Sequence, residues 1–393
     1  TRRLVLETAE AMGYRPNPMV SSLMEQIRTG KQQEDHGTLV MVVDRKDQQD
    51  WFEFQSYREQ YEGFVQRARE RGYRTECIYL RAENLTAAAL DRICTQNASG
   101  LASGRCRYGF LLNEAGGVID DTILMRPAEE EFLLVVNAGP READAAWIRE
   151  RLGAGAELTD RTAAGWAKID IQGPRSFEVL SPRTEVPLGE LRYFSVIQGL
   201  CAGVDCVISR TGYTGELGNE IMAAGKSILA VFDALLAHDA VKPAGLGARD
   251  SLRLEMGYPL YGHELDADHT PLEVGLEGFL RFDHDFIGAE ALREQHRRGA
   301  GRRLAAFQSA SRRRVNPGDA VILDDKPMGN VTSGAFSPSL EVSIGMGYVE
   351  PSLAVPGTAL VVDTARATLP VTVAERPMYK DGTCRVDPSA GKG

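Results

Sequence analysis

The run Gln96-Asn97-Ala98-Ser99-Gly100-Leu101-Ala102-Ser103-Gly104 divides the sequence into two stretches of different hydrophobic pattern. Small and polar residues packed this closely punctuate a chain as a linker does. Ahead of the run, Gly37-Thr38-Leu39-Val40-Met41-Val42-Val43 reads as a buried strand. Tyr57, Tyr61, Phe64 and Ala68 mark one face of a helix that stops near Gly72. A second strand, Cys77-Ile78-Tyr79-Leu80, and a helix from about Ala87 to Ile93 follow. This β-α-β-α order over residues 36–98 is the kind that builds a parallel sheet. Beyond the run, strands alternate with amphipathic helices, one of which carries Ile228, Val231, Phe232 and Leu235 on a single predicted face. The last stretch, 301–393, is strand-rich and broken by turns at Asn316-Pro317-Gly318-Asp319, Ser337-Pro338 and Pro356-Gly357. That pattern predicts an antiparallel barrel and, for the whole, an α+β class.

A chain of 393 residues, 43% hydrophobic and 25% charged, has material for two or three ordinary globular domains. The formal net charge of −10 argues against a wholesale nucleic-acid binder, which needs a surplus of Lys and Arg. No run approaches the length of a membrane-spanning helix, and Thr1-Arg2-Arg3 does not lead into a signal peptide, so a cytoplasmic location is expected. Six cysteines are scattered without a CxxC pair, and His263, His269 and His284 fall on separate loops without ligand spacing. Neither a disulfide framework nor a metal site is expected.

Three constellations carry candidate chemistry. Tyr108-Gly109-Phe110-Leu111-Leu112-Asn113-Glu114-Ala115-Gly116-Gly117-Val118-Ile119-Asp120-Asp121 reads as strand, turn, strand. Successive strand side chains face opposite ways, so Asp120 and Asp121 are not expected to serve one site together. In Ser209-Arg210-Thr211-Gly212-Tyr213-Thr214-Gly215-Glu216-Leu217-Gly218-Asn219-Glu220, three glycines let the backbone approach a flat ligand while the carboxylates offer only acceptors. A carboxylate there suits the amino-pyrimidinone edge of a pterin; a glycine-rich turn with surface acids is the competing reading. In Gly245-Leu246-Gly247-Ala248-Arg249-Asp250-Ser251-Leu252-Arg253-Leu254-Glu255, Arg249 and Arg253 share a predicted helix face, to clamp a ligand carboxylate or to pair with Asp250 or Glu255. The basic runs Arg297-Arg298, Arg302-Arg303 and Arg312-Arg313-Arg314 suit an acidic partner or solvated loops equally.

Taken in order, these three motifs resemble the aminomethyltransferase family, the glycine cleavage T proteins. Val135-Val136-Asn137-Ala138-Gly139, Ile171-Gln172-Gly173-Pro174, Thr270-Pro271-Leu272-Glu273, Asp285-Phe286-Ile287-Gly288, Val331-Thr332-Ser333-Gly334 and Ser337-Pro338-Ser339-Leu340 extend the resemblance from about residue 102 to the end. It implies a folate-binding region of ferredoxin-like α/β domains over 102–300, then the C-terminal β-barrel over 301–393. It further implies that Asp121 lies beside the reacting nitrogen of tetrahydrofolate and that Tyr108 and Asn137 line the folate pocket. Tyr213, Glu220 and Arg249 would complete it, with Glu220 on the pterin edge and Asp120 contributing little. The implied reaction passes a one-carbon unit from an aminomethyl-lipoyl arm of an H-protein carrier to tetrahydrofolate, without a metal. Gly275-Leu276-Glu277-Gly278 stands where these proteins usually carry a Trp, which also fits relatives that demethylate other N-, S- or O-methyl donors.

The N-terminal residues resemble something else. Glu7-Thr8-Ala9-Glu10-Ala11-Met12-Gly13-Tyr14-Arg15-Pro16-Asn17-Pro18 looks like the last headpiece helix of LacI-family transcription regulators, with a hinge at Val20 to Met24. This implies a headpiece and hinge remnant over 1–30 and a partial periplasmic-binding-like α/β unit over 36–98. The recognition helix of that family is absent, so DNA binding is not expected. The expectation is therefore a first folate domain short of strands, with a bare sheet edge and a tendency to self-associate, or an inactive fusion.

Overall fold

The structure, a computed structural model, describes residues 38–39, 74–75 and 87–387, except 130, 153–157 and 365. Strands β1 (Thr38–Leu39) and β2 (Arg74–Thr75) pair in parallel, Thr38 with Arg74 and Leu39 with Thr75. The headpiece and hinge reading of 1–30 and the strand expected at Cys77 to Leu80 lie outside the described residues.

Helix α1 (Ala87–Ile93) precedes a three-stranded antiparallel sheet of β3 (Arg105–Leu112), β4 (Val118–Ala128) and β5 (Glu131–Val135), followed by α2 (Arg141–Arg151). Leu90 and Ile93 of α1 pack into one cluster with Leu111, Leu124, Leu134 and Ile148. Each such fully buried Leu or Ile contributes about 1.5–3 kcal/mol. The β3–β4 turn is organised by Asn113, whose Oδ1 accepts from the amides of Ala115 (3.0 Å) and Gly117 (2.9 Å). Gly116 sits at φ +85°, and a Cβ on Gly117 would meet the Ala267 carbonyl oxygen at 1.8 Å, so both glycines are sterically required.

The outer edge of β3 is not bare, contrary to expectation. Cys106 N–H donates to Phe194 O (2.9 Å), Val196 N–H donates to Gly104 O (2.9 Å), and Thr95 meets Phe110 through both its backbone and its hydroxyl. Residues 95 and 194–196 thus hydrogen-bond along that edge.

The second sheet contains β6 (Trp166–Gln172), reached before α3 (Ser176–Leu180), then β7 (Val196–Cys201), β8 (Val204–Ser209) and β9 (Gly218–Ala224), in the order β6-β9-β8-β7 and all antiparallel. Helix α4 (Ser227–Leu236) buries Ile228, Val231 and Leu235 against it. Phe232 departs from the predicted face: it is 37% exposed and borders the cavity described below. Helix α5 (Leu246–Glu255) and the short α6 (Pro271–Val274) follow. Thr270 and Glu273 form a reciprocal capping box with Pro271 in the first turn, and Gly275 ends α6 in the left-handed region.

After α7 (Ala289–Arg298), the strands β10 (Arg303–Ser309), β11 (Ala320–Leu323), β12 (Lys326–Ser337), β13 (Val342–Val349), β14 (Ala359–Thr364) and β15 (Ala367–Ala374) close into a six-stranded antiparallel barrel, as the turn pattern predicted. The barrel packs on the first sheet: Phe110, Leu112 and Val118 share a cluster with Leu304, Ile344 and Met346. Among the described residues, no helix is long and apolar enough to cross a membrane.

Candidate functional site

Antiparallel pairing sets Asp121 opposite Phe110 and Asp120 opposite Leu111. As strand alternation requires, the two acids point to opposite sides of β4: Asp120 is fully buried, whereas Asp121 opens onto a cavity that Tyr108 also lines. Tyr108 donates its phenolic O–H to Asp121 Oδ2 (3.1 Å). The two acids are nevertheless linked through Asn137, two residues past the end of β5. Its backbone N–H donates to Asp120 Oδ2 (2.8 Å), and its Nδ2 donates both to Asp120 Oδ1 (2.9 Å) and to Asp121 Oδ1 (2.7 Å). Asp120 therefore aims the amide that holds Asp121.

Burial pushes the Asp121 carboxyl up to about 6, opposed by the Tyr108 and Asn137 hydrogen bonds and by the charge of Arg249. Asp120 is raised well above the carboxylate range, by burial first and then by the charges of Asp121 and Asp144. Asp144, fully buried on α2, is pushed up to about 7 by burial. Burial raises all three carboxyls, and mutual repulsion adds to it for Asp120 and Asp144, so together they resist full ionisation near neutral pH.

The opposite wall comes from the second sheet. Asp170 on β6 is paired across the ladder with Glu220 on β9. Glu220 is 5% exposed; one of its oxygens accepts from Lys168 Nζ and the other from the Thr211 hydroxyl, which is itself 2.6 Å from Ser209 Oγ. Lys168 also donates to Asp170 Oδ1 (3.0 Å). Burial works to lower the Lys168 pKa, but Asp170 and Glu220 outweigh it and hold the ammonium charged. Tyr213 donates its O–H to Pro259 O and stacks on Tyr258 at 5.8 Å. The Arg249 guanidinium lies 4.7 Å from the Tyr213 ring centroid and 3.5 Å from Asp170.

The two arginines of α5 thus separate. Arg253 is buried in ion pairs with Asp250 (2.7 Å) and Glu264 (3.1 Å) and donates to Ser333, a structural role. Arg249 is left half-exposed on the cavity. In the basic runs, Arg302 pairs with Glu273, Arg303 with Glu277 and Arg297 with Glu294.

Tyr108, Asp121, Asn137, Tyr213, Glu220 and Arg249 all line one cavity of about 2640 Å³. This exceeds the roughly 300–1,000 Å³ typical of drug-sized ligands, so it has room for a long, flat-headed one. Lys168 and Asp144 were not singled out from the sequence. Period-two alternation places Lys168 and Asp170 on one face of β6 and held the signal for the first; Asp144 depends on tertiary packing alone. Among the described residues, no group of three or more His, Cys, Asp or Glu side chains is arranged to hold a metal ion.

Two antiparallel sheets with flanking helices, closed by a six-stranded barrel around a cavity with a hydrogen-bonded carboxylate, define the class: a protein of the aminomethyltransferase fold. The model of the GCVT N-terminal domain matches residues 84–284, and that of the glycine cleavage T-protein C-terminal barrel domain matches residues 302–380. The chain belongs to the glycine cleavage T-protein family. It is 38% identical over 312 residues to the aminomethyltransferase of Synechococcus elongatus, covering 78% of this chain and 83% of that one. It is 35% identical over 296 residues to the aminomethyltransferase of Thermoanaerobacter pseudethanolicus, covering 74% and 80% respectively. Among solved structures it resembles the glycine cleavage system aminomethyltransferase T from Bartonella henselae with a TM-score of 0.73 at 30% identity, over 79% of this chain and 85% of that one.

Proposed function

We propose that this chain is a tetrahydrofolate-dependent aminomethyltransferase, moving a one-carbon unit from the aminomethyl-lipoyl arm of an H-protein-like carrier to tetrahydrofolate. Bound tetrahydrofolate supplies the nucleophilic nitrogens, and the products are 5,10-methylenetetrahydrofolate, ammonia and the dihydrolipoyl arm. The observation that carries the reading is Asp121, held between Tyr108 and Asn137 over a cavity whose far wall carries Glu220.

The residues suit the ligand. Each oxygen of Glu220 has one protein donor and retains a lone pair for the adjacent N–H groups of a pterin edge. The rings of Tyr108, Tyr213 and Phe279 supply flat apolar wall, and Arg249 a cation for a folate carboxylate. Catalysis is then chiefly positioning. Asp121 orients the reacting nitrogen and, once ionised, stabilises the positive charge that develops on it. Asp120 acts one step back, through Asn137. The same reading assigns folate binding to 102–300 and the barrel to 301–393.

The test supplies the full chain with tetrahydrofolate and an aminomethyl-lipoylated carrier and measures methylenetetrahydrofolate and ammonia. Equimolar formation of both is expected. Saturable folate binding without either product refutes the donor assignment, and no folate binding refutes the reading as a whole.

A further inference from the structure

Lys168 stands beside Glu220 in the cavity wall, and its protein contacts leave it incompletely used. An ammonium has three N–H donors. Two are engaged, by Glu220 Oε1 and by Asp170 Oδ1 (3.0 Å), while the side chain is 17% exposed and lines the cavity. Alternation along β6 aims Lys168 and Asp170 to the same side, and the β6–β9 register sets Asp170 directly across from Glu220. Cation and carboxylate are therefore adjacent, fixed by ladder hydrogen bonds rather than by a flexible loop. Side by side they present two acceptors and then a donor.

We infer that Lys168 is a specificity-determining residue, donating its remaining N–H to the 4-oxo oxygen of the pterin while Glu220 accepts from the 2-amino group and N3–H. The inference rests on the folate reading above and deepens it. The edge of a 2-amino-4-oxo-tetrahydropteridine runs donor, donor, acceptor, the complement of Glu220 and Lys168 read in order. A 4-amino analogue reverses the last position: its exocyclic NH₂ would point hydrogens at an ammonium that accepts nothing, and its N3 carries no proton for Glu220. A buried site built to hydrogen-bond one group rejects the ligand that leaves its partners unpaired. Thr211 and Asp170 complete the device, the first holding the second oxygen of Glu220 and the second keeping Lys168 from rotating away.

The experiment measures dissociation constants of the full chain for tetrahydrofolate and for its 4-amino analogue, with wild type, Lys168→Met and Lys168→Gln, each first checked for wild-type-like cooperative unfolding. The expected result is that wild type prefers the 4-oxo compound at least tenfold. Lys168→Met should lose at least tenfold in tetrahydrofolate affinity while its 4-oxo/4-amino preference collapses toward unity. Lys168→Gln, which keeps an N–H donor, should recover part of that preference. An unchanged ratio in Lys168→Met, or equal loss of both compounds, overturns the inference and leaves the folate reading standing. A wild-type chain that binds neither compound overturns the folate reading itself and this inference with it.

Discussion

Asn137→Ala removes the amide that bridges the two acids of β4, and its consequence can be worked from the geometry. The variant loses the donor 2.7 Å from Asp121 Oδ1 but keeps the Tyr108 bond to Oδ2 and the backbone N–H to Asp120. A hydrogen bond to a charged group contributes about 1.5–3 kcal/mol, which at about 1.36 kcal/mol per pKa unit is a rise of about one to two units. Asp121, already pushed to about 6, would then titrate between about 7 and 8. Asp120 also loses a donor, but it is raised well above the carboxylate range in the parent and so adds little new repulsion. If the ionised form of Asp121 is the active one, its population at pH 7 drops from about nine-tenths to between about a half and a tenth. The profile of kcat/KM against pH, which reports groups of the free enzyme, is the assay. We expect a two- to tenfold loss at pH 7 that is largely recovered by pH 9. A loss of the same factor at every pH would refute the link between Asn137 and the ionisation of Asp121.

Asp144→Asn tests the resistance to ionisation through stability. Asp144 is pushed up to about 7 from 3.8, so between those values the folded state binds more protons than the unfolded one and wild-type stability falls as pH rises. Asn cannot ionise, so the variant should match wild type near pH 4 and exceed it at pH 8 by up to about 4 kcal/mol in denaturant unfolding; a pH-independent difference contradicts the sign. Glu220→Gln should raise the KM for tetrahydrofolate about 10- to 100-fold, with kcat at saturation nearly unchanged; a fall in kcat at unchanged KM would place Glu220 in the chemical step instead. Gly117→Ala drives a methyl group into the Ala267 carbonyl and should cost about 3 kcal/mol of stability, measured by chemical denaturation, the upper end of overpacking costs; a change below the error of the measurement would show that the turn gives way freely.

Much of the scaffold was legible because it rests on local rules. The β3–β4 hairpin followed from the turn chemistry of Gly116-Gly117, and the barrel from short strands between Gly and Pro turns. Strand alternation separated Asp121 from Asp120. What it could not show is that the loop after β5 folds back so that a single amide, Asn137, spans both. Helical spacing put Arg249 and Arg253 on one face without saying which is buried; that is decided by Glu264 and Ser333, far along the chain. Phe232 was misplaced for the same reason, since the width of a buried stripe depends on what covers it. Lys168 was readable in principle, two residues before Asp170 on one strand face, but its meaning required Glu220 to be its cross-strand neighbour.

The central claim, that Asp121 serves the reaction rather than the binding of folate, is met most directly by Asp121→Ala, with single-turnover transfer and tetrahydrofolate affinity measured on the same preparation. Losing the group that meets charge developing in the transition state should cost about 10²–10³ in rate. The account predicts that loss with a folate dissociation constant within a few-fold of wild type. Undiminished turnover, or a loss of affinity that accounts for the whole loss of rate, would contradict it.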